Sequence, residues 1–196
     1  MTFIKKITYE QHDNEEGSFY KSSIKPFKFN AYLENYHEID ICIIGGGLTG
    51  VSSALNLAKK GYSVALCEAR TIGWGASGRN GGQLGIGMRK EQSLIEKKLG
   101  FEYAKELWKL GLEGVSETTK LISDYKIQCA LQKGVISAGF YKKNKENFLF
   151  EIDHMQKNYN FKGYKFLDKD EIKDEINTNI YHSGLLNNHS YHLNPL

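Results

Sequence analysis

The sequence predicts an α/β fold in which a βαβ unit opens a parallel sheet and part of an α+β domain follows. Three observations carry that expectation. Residues 40–44 and 62–68 are short apolar runs, residues 47–60 between them repeat Leu48, Val51, Ala54, Leu55 and Leu57 at helical spacing, and glycines join the first run to the helix. A strand, a tight turn, a helix and a second strand within about 30 residues make one right-handed crossover unit.

Taken in order, residues 1–38 alternate polar and aromatic positions, with Tyr9, Phe19, Tyr20, Phe27, Tyr32 and Tyr36 but no sustained period. They read as an extended arm. Residues 40–44 read as a fully buried parallel strand, and Gly61 stops the helix that follows. The unit with its second glycine-rich loop spans residues 39–90. Residues 91–196 carry helices over 91–98 and 101–125, the second with Leu107, Leu110, Val115, Leu121 and Ile122 among charges, and a strand over 129–140 broken at Gly134. Residues 142–159 form an amphipathic helix through Phe148, Ile152, Met155 and Tyr159. Asp168 and Glu171 form a capping box for a helix ending near Ile176. Asn194 and Pro195 announce one more helix just before the sequence stops at Leu196, the sign of a truncated chain.

Composition narrows the function classes. The 196 residues are 40% apolar and 25% charged, with 26 basic and 23 acidic side chains and a net charge of +3. No basic block would track a phosphate backbone, so nucleic acid is not the expected partner. No run approaches the roughly 20 apolar residues of a membrane span, and no export signal follows Met1. A cytoplasmic protein is expected. Cys42, Cys67 and Cys129 are odd in number and sit among apolar neighbours, which reads as reduced, buried core thiols rather than bridges or metal ligands. His189 and His192 lack a third ligand, so no metal site is expected, and no serine sits in a nucleophile-elbow context.

Glycine and arginine are unevenly placed. Twelve of the 20 glycines fall between Gly45 and Gly87, and the chain's three arginines, Arg70, Arg79 and Arg89, lie in or beside that stretch. Gly45, Gly47 and Gly50 make a G-x-G-x-x-G pattern directly between strand and helix, and Glu68 ends the second strand 23 residues after Gly45. This is the arrangement of a Rossmann-like dinucleotide site. Gly45 allows the tight turn, Gly47 leaves room for a pyrophosphate, Gly50 lets the helix lie close on the strand, and the helix N-terminus faces the diphosphate. A carboxylate at Glu68 suits an unphosphorylated ribose, which indicates FAD or NAD rather than NADP; Arg70 nearby argues the other way. A nicotinamide enzyme would continue into an ordinary helix. Here Ile72-Gly-Trp-Gly-Ala-Ser-Gly-Arg-Asn-Gly-Gly-Gln83 follows instead, a second loop able to close around a diphosphate.

The fingerprint, Glu68 and that second loop resemble the D-amino-acid-oxidase-like family of FAD-dependent oxidoreductases, in particular its gamma-glutamylputrescine oxidase branch. Ser18-Phe-Tyr20 and His192-Leu-Asn-Pro195 are similar to that branch as well. The resemblance implies a Rossmann-like FAD-binding domain joined to part of a substrate domain. It implies oxidation of an amine or amino-acid C–N bond to an imine, with FAD as cofactor, in a protein about twice this length. Carried onto this sequence, it implies cofactor contacts at Gly45, Gly47, Gly50, Glu68, Ser77, Arg79 and Asn80, with Gly82 and Gln83 near the ring system. Gly46, Leu48, Thr49, Ala69, Arg70, Ala76 and Gly81 complete the candidate set. Trp74 either walls the flavin or covers the loop. No catalytic acid or base is indicated. The alternatives are an NAD-linked dehydrogenase half-domain and a truncated product without function.

Overall fold

The structure, a computed structural model, describes residues 19–23 and 37–196. Most of the expected arm, Ser18 included, lies outside the described residues. Its described stretch Phe19–Ser22 is one helical turn, α1, where extended chain was expected. The described residues form two compact units, one running to Arg79 and including Leu196, the other Asn80–Pro195.

In the first unit, β1 (Ile41–Ile44) and β2 (Val64–Cys67) pair in parallel, with Ile41 opposite Val64 and Ile44 opposite Cys67. The crossover is α2 (Leu48–Lys59), and Gly61, at φ +91°, turns the chain back after it. Ile in β1 and Val in β2 suit these strands because β-branched side chains pack well on a pleated, half-buried surface. The fully buried β1 that the sequence suggested is not what forms. Ile41 and Ile43 are half-buried on the α2 side, whereas Cys42 is exposed and Ile44 is 89% exposed on the other. One helix covers one face of a two-stranded ribbon, and the period of two sends alternate side chains to the uncovered face. The cysteines follow the same rule. Cys42 is exposed, Cys67 half-buried, and Cys129 alone is a buried core thiol. In α2, Ala54, Leu55 and Leu57 turn inward, while Leu48 and Val51 point outward in the first turn. At the strand starts, the Asp40 carboxylate accepts from the Ser63 amide at 2.8 Å and its hydroxyl at 2.7 Å. These bonds hold the Asp40 carboxyl below its ordinary range.

The second unit holds the hydrophobic core. Its elements are β3 (Gln83–Leu84), α3 (Gln92–Leu99), α4 (Phe101–Asp124), β4 (Gln132–Gly139), α5 (Asn144–Tyr159), β5 (Tyr164–Leu167), α6 (Lys169–Ile176) and β6 (Ser183–His192). The long β6 is central to an antiparallel sheet: β4 takes one edge, while β5 and β3 share the other. The break expected at Gly134 is a bulge between Lys133 and Val135, with Gly134 at φ +101°. Trp108, Met155 and Phe161 form the core, joined by Ile86, Leu112, Tyr159 and Tyr164. The rings of Trp108 and Phe161 meet edge to face at 5.2 Å. The inward face of α4 is thus Ala104, Trp108 and Val115, whereas Leu110 is 56% exposed. Leu110, two residues on from Trp108, falls on the opposite side of the helix.

The α5 face follows the expected stripe, with Met155 fully buried. The capping box also forms: Asp168 accepts from the amides of Asp170 and Glu171, and the Asp168 amide donates to Glu171. Between α3 and α5 lies a polar cluster with no counterpart in the expectations. Tyr159 donates to Glu96 at 2.7 Å, Gln92 donates to the Tyr159 oxygen at 3.0 Å, and His154 Nε2 lies 2.8 Å from Glu96. Burial first, then the Glu96 bond, pushes the Tyr159 hydroxyl up to about 12; burial pushes Tyr164 up to about 12 as well. His189 and His192 lie exposed on β6, and His189 packs against the Phe161 ring. Among the described residues, no helix is long and apolar enough to cross a membrane.

Candidate cofactor site

The fingerprint folds as a bare backbone ledge at the N-terminus of α2. Gly45, at φ +106°, ends β1 and donates its amide to the Cys67 carbonyl at 2.7 Å, which ties the turn to β2. A Cβ on Gly50 would stand 1.9 Å from the Gly45 carbonyl oxygen and 3.4 Å from the Ile43 side chain, so helix and strand approach as only glycine permits. Gly47 is the N-cap of α2 and brings no capping side chain of its own. The hydroxyl of Ser77 substitutes, accepting the Leu48 amide at 2.9 Å from 29 residues away. A Cβ on Gly47 would come within 3.1 Å of that same hydroxyl.

Glu68, directly after β2, faces this ledge. One carboxylate oxygen accepts the Gly46 amide at 2.6 Å and the other the Arg70 amide at 2.9 Å. An ionised carboxylate has about four acceptor sites, so two backbone bonds orient it and leave capacity for hydroxyl donors. Gly46 has a part of its own here. A Cβ there would stand 2.4 Å from Ile72 and 3.2 Å from Glu68, and its carbonyl accepts the Gly73 amide at 2.9 Å. The doubled glycine at 45–46 was the available signal for this contact. Thr49 and Ala69 are exposed beside the ledge.

The second loop turns through Ala76–Gly78, a single 3-10 turn with Ala76 exposed and Ser77 brought to α2. Arg70 is not simply solvated. Its guanidinium stacks on Trp74 at 3.5 Å, and Arg79 lies over the same ring at 4.2 Å. Two of the three arginines thus hold the indole, at about 0.5–1 kcal/mol for an exposed pair, and Trp74 packs within its own loop. Asn80, Gly81, Gly82 and Gln83 belong to the second unit. There Asn80 accepts the Gly82 amide at 2.8 Å, Gly82 accepts the Leu193 amide at 2.8 Å, Gly81 is exposed, and Gln83 pairs with His192 in the sheet.

The first unit therefore gathers a ledge without side chains, a helix N-terminus and an oriented carboxylate. These are the donor and acceptor types a nucleotide diphosphate and its ribose require, so the residues fit a dinucleotide such as FAD. Comparison with known proteins agrees. Residues 40–196 match the family model described as FAD dependent oxidoreductase, DAO. The chain is 34% identical over 183 residues to gamma-glutamylputrescine oxidoreductase of Escherichia coli, covering 92% of this chain and 42% of that protein. It is 31% identical over 190 residues to the probable oxidoreductase OrdL of Haemophilus influenzae, covering 97% of this chain and 43% of that one. The chain thus spans about two fifths of the length of these relatives. In fold it is similar to an L-amino acid deaminase from Proteus myxofaciens, with a TM-score of 0.64 at 18% identity over 87% of this chain and 36% of that one. With the family model matching residues 40–196, the chain belongs to the FAD dependent oxidoreductase family, DAO.

Proposed function

We propose that this chain supplies the cofactor-holding part of a flavoenzyme that oxidises the C–N bond of a small amine or amino acid. The observation that carries the reading is Glu68, fixed by the Gly46 and Arg70 amides opposite the glycine ledge. In this reading the Gly45–Gly47 backbone and the start of α2 take the diphosphate, and Glu68 takes the adenosine ribose hydroxyls. Ser77 offers a hydroxyl at the same helix end. Arg79 adds positive charge. Bound FAD would supply the two-electron acceptor for the substrate carbon, and the imine product would hydrolyse in water. The amine class is supported by the relative named gamma-glutamylputrescine oxidoreductase. A cytoplasmic setting belongs to the same reading, supported by three free cysteines.

The test is titration of FAD into the purified chain, followed by flavin fluorescence, with NAD in parallel. Glu68→Ala should weaken FAD binding by about 1–3 kcal/mol, the scale of lost charge-assisted hydrogen bonds. Gly47→Val should remove it by filling the ledge. FAD affinity unchanged in Glu68→Ala would take Glu68 out of the site. Tighter binding of NAD than of FAD would move the chain to a nicotinamide-linked activity.

A further inference from the structure

The uncovered face of the β1–β2 ribbon carries two thiols. Cys42 lies opposite Ala65, and Cys67 lies opposite Ile44, so both cysteines point to the same face as diagonal neighbours on adjacent strands. Cys42 is exposed and Cys67 half-buried, and both are free. We propose that Cys42 and Cys67 form a two-thiol site that chelates one soft, thiophilic centre of the trivalent arsenical type.

The geometry separates chelation from a disulfide. Strands about 4.8 Å apart, rising about 3.3 Å per residue, put diagonal Cα atoms roughly 8 Å apart. A disulfide spans about 4.4–6.8 Å between Cα atoms, so a direct S–S bond would require the strands to shift. One inserted atom removes that demand. Two bonds of about 2.3 Å to a single centre hold the sulfurs roughly 3.5–4 Å apart, a span that side chains on one face of adjacent strands can reach without moving the backbone. Burial pushes the Cys67 thiol up, which suits a reagent that takes the proton from the sulfur it binds. With phenylarsine oxide the balance is closed. Two As–S bonds form, the As=O bond and two S–H bonds break, one water leaves, and no electrons are exchanged. The site lies beside the cofactor ledge, since the Cys67 carbonyl accepts the Gly45 amide at 2.7 Å and Glu68 is the next residue.

The test is titration of the reduced chain with phenylarsine oxide, read by intact mass, free-thiol count and peptide mapping. Wild type and Cys129→Ala should take one phenylarsine, lose two free thiols and yield a peptide pair joined at Cys42 and Cys67. A dithiol should reverse the adduct while an equal concentration of monothiol leaves it in place. Cys42→Ser and Cys67→Ser should each bind at least tenfold more weakly, with circular dichroism matching wild type. Undiminished affinity in either serine variant overturns the proposal, as does an adduct that maps to Cys129. The peptide map of wild type decides the matter even if a variant fails to fold.

Discussion

The contact between Gly50 and the Gly45 carbonyl can be tested by filling it. In Gly50→Ala the new Cβ would stand 1.9 Å from that oxygen, 1.1 Å inside the 3.0 Å that real Cβ contacts respect. The atom it meets is backbone at the end of β1, so helix and strand must separate and no side chain can swing aside. Overpacking of this kind costs about 1–3 kcal/mol, and a rigid carbonyl places it near the upper end. Alanine in a helix returns up to about 1 kcal/mol relative to glycine, which leaves a net loss of roughly 2 kcal/mol. Gly114→Ala is the matching control, because a Cβ at Gly114 in α4 meets nothing within 4 Å. It should stabilise by about 0.5–1 kcal/mol. Guanidinium unfolding followed by circular dichroism measures both. Were Gly50→Ala as stable as Gly114→Ala, the close approach of α2 to β1 would be refuted, and with it the ledge.

Ser77→Ala strips the Leu48 amide of its acceptor and should cost about 1 kcal/mol, the scale of a lost N-cap, visible as faster amide exchange at Leu48. The Asp40 carboxyl is held below its ordinary value of 3.8, so its contribution is complete above that pH and fades as the pH falls through the folded value. Asp40→Asn should therefore melt lower at neutral pH yet lose less on acidification, and parallel melting curves for the two proteins would contradict this. Tyr159 keeps its proton in the fold to about 12 against an ordinary 10.0, so its stabilisation is full below pH 10 and lost as the pH rises towards 12. A base titration of Tyr159→Phe, read by tyrosinate absorbance and circular dichroism, should show a shallower loss over that window than wild type.

The parts legible in the sequence were those fixed by local rules. The glycine turn at 45–50 and the capping box at 168 each depend on a few neighbouring residues, and each took the expected form. What escaped depended on what lies above a face. Apolar content alone does not reveal that α2 covers Ile41 and Ile43 while leaving Cys42 and Ile44 bare. Likewise, apolar spacing alone does not reveal that Trp108 rather than Leu110 enters the core. The Gln92–Tyr159–Glu96–His154 cluster joins residues up to 67 positions apart, which no spacing rule connects. Ser77 lay in the loop singled out, but its partnership with the Leu48 amide needed the fold.

The placement of β6 bears on how the protein is made. Every strand of the second unit's sheet, β3, β4 and β5 alike, hydrogen-bonds to β6, which is the last of them to be synthesised. On the ribosome, three strands must wait as unpaired chain until residue 192 has cleared the exit tunnel. Synthesis at about 5–20 residues per second makes the interval from residue 139, the end of β4, on the order of several seconds. During that time α4 and α5 can form from local contacts, while β4 presents open edges to any other nascent chain. Expression yield of this unit should therefore respond to chaperone supply and translation rate more steeply than that of a protein whose strands pair with their immediate predecessors.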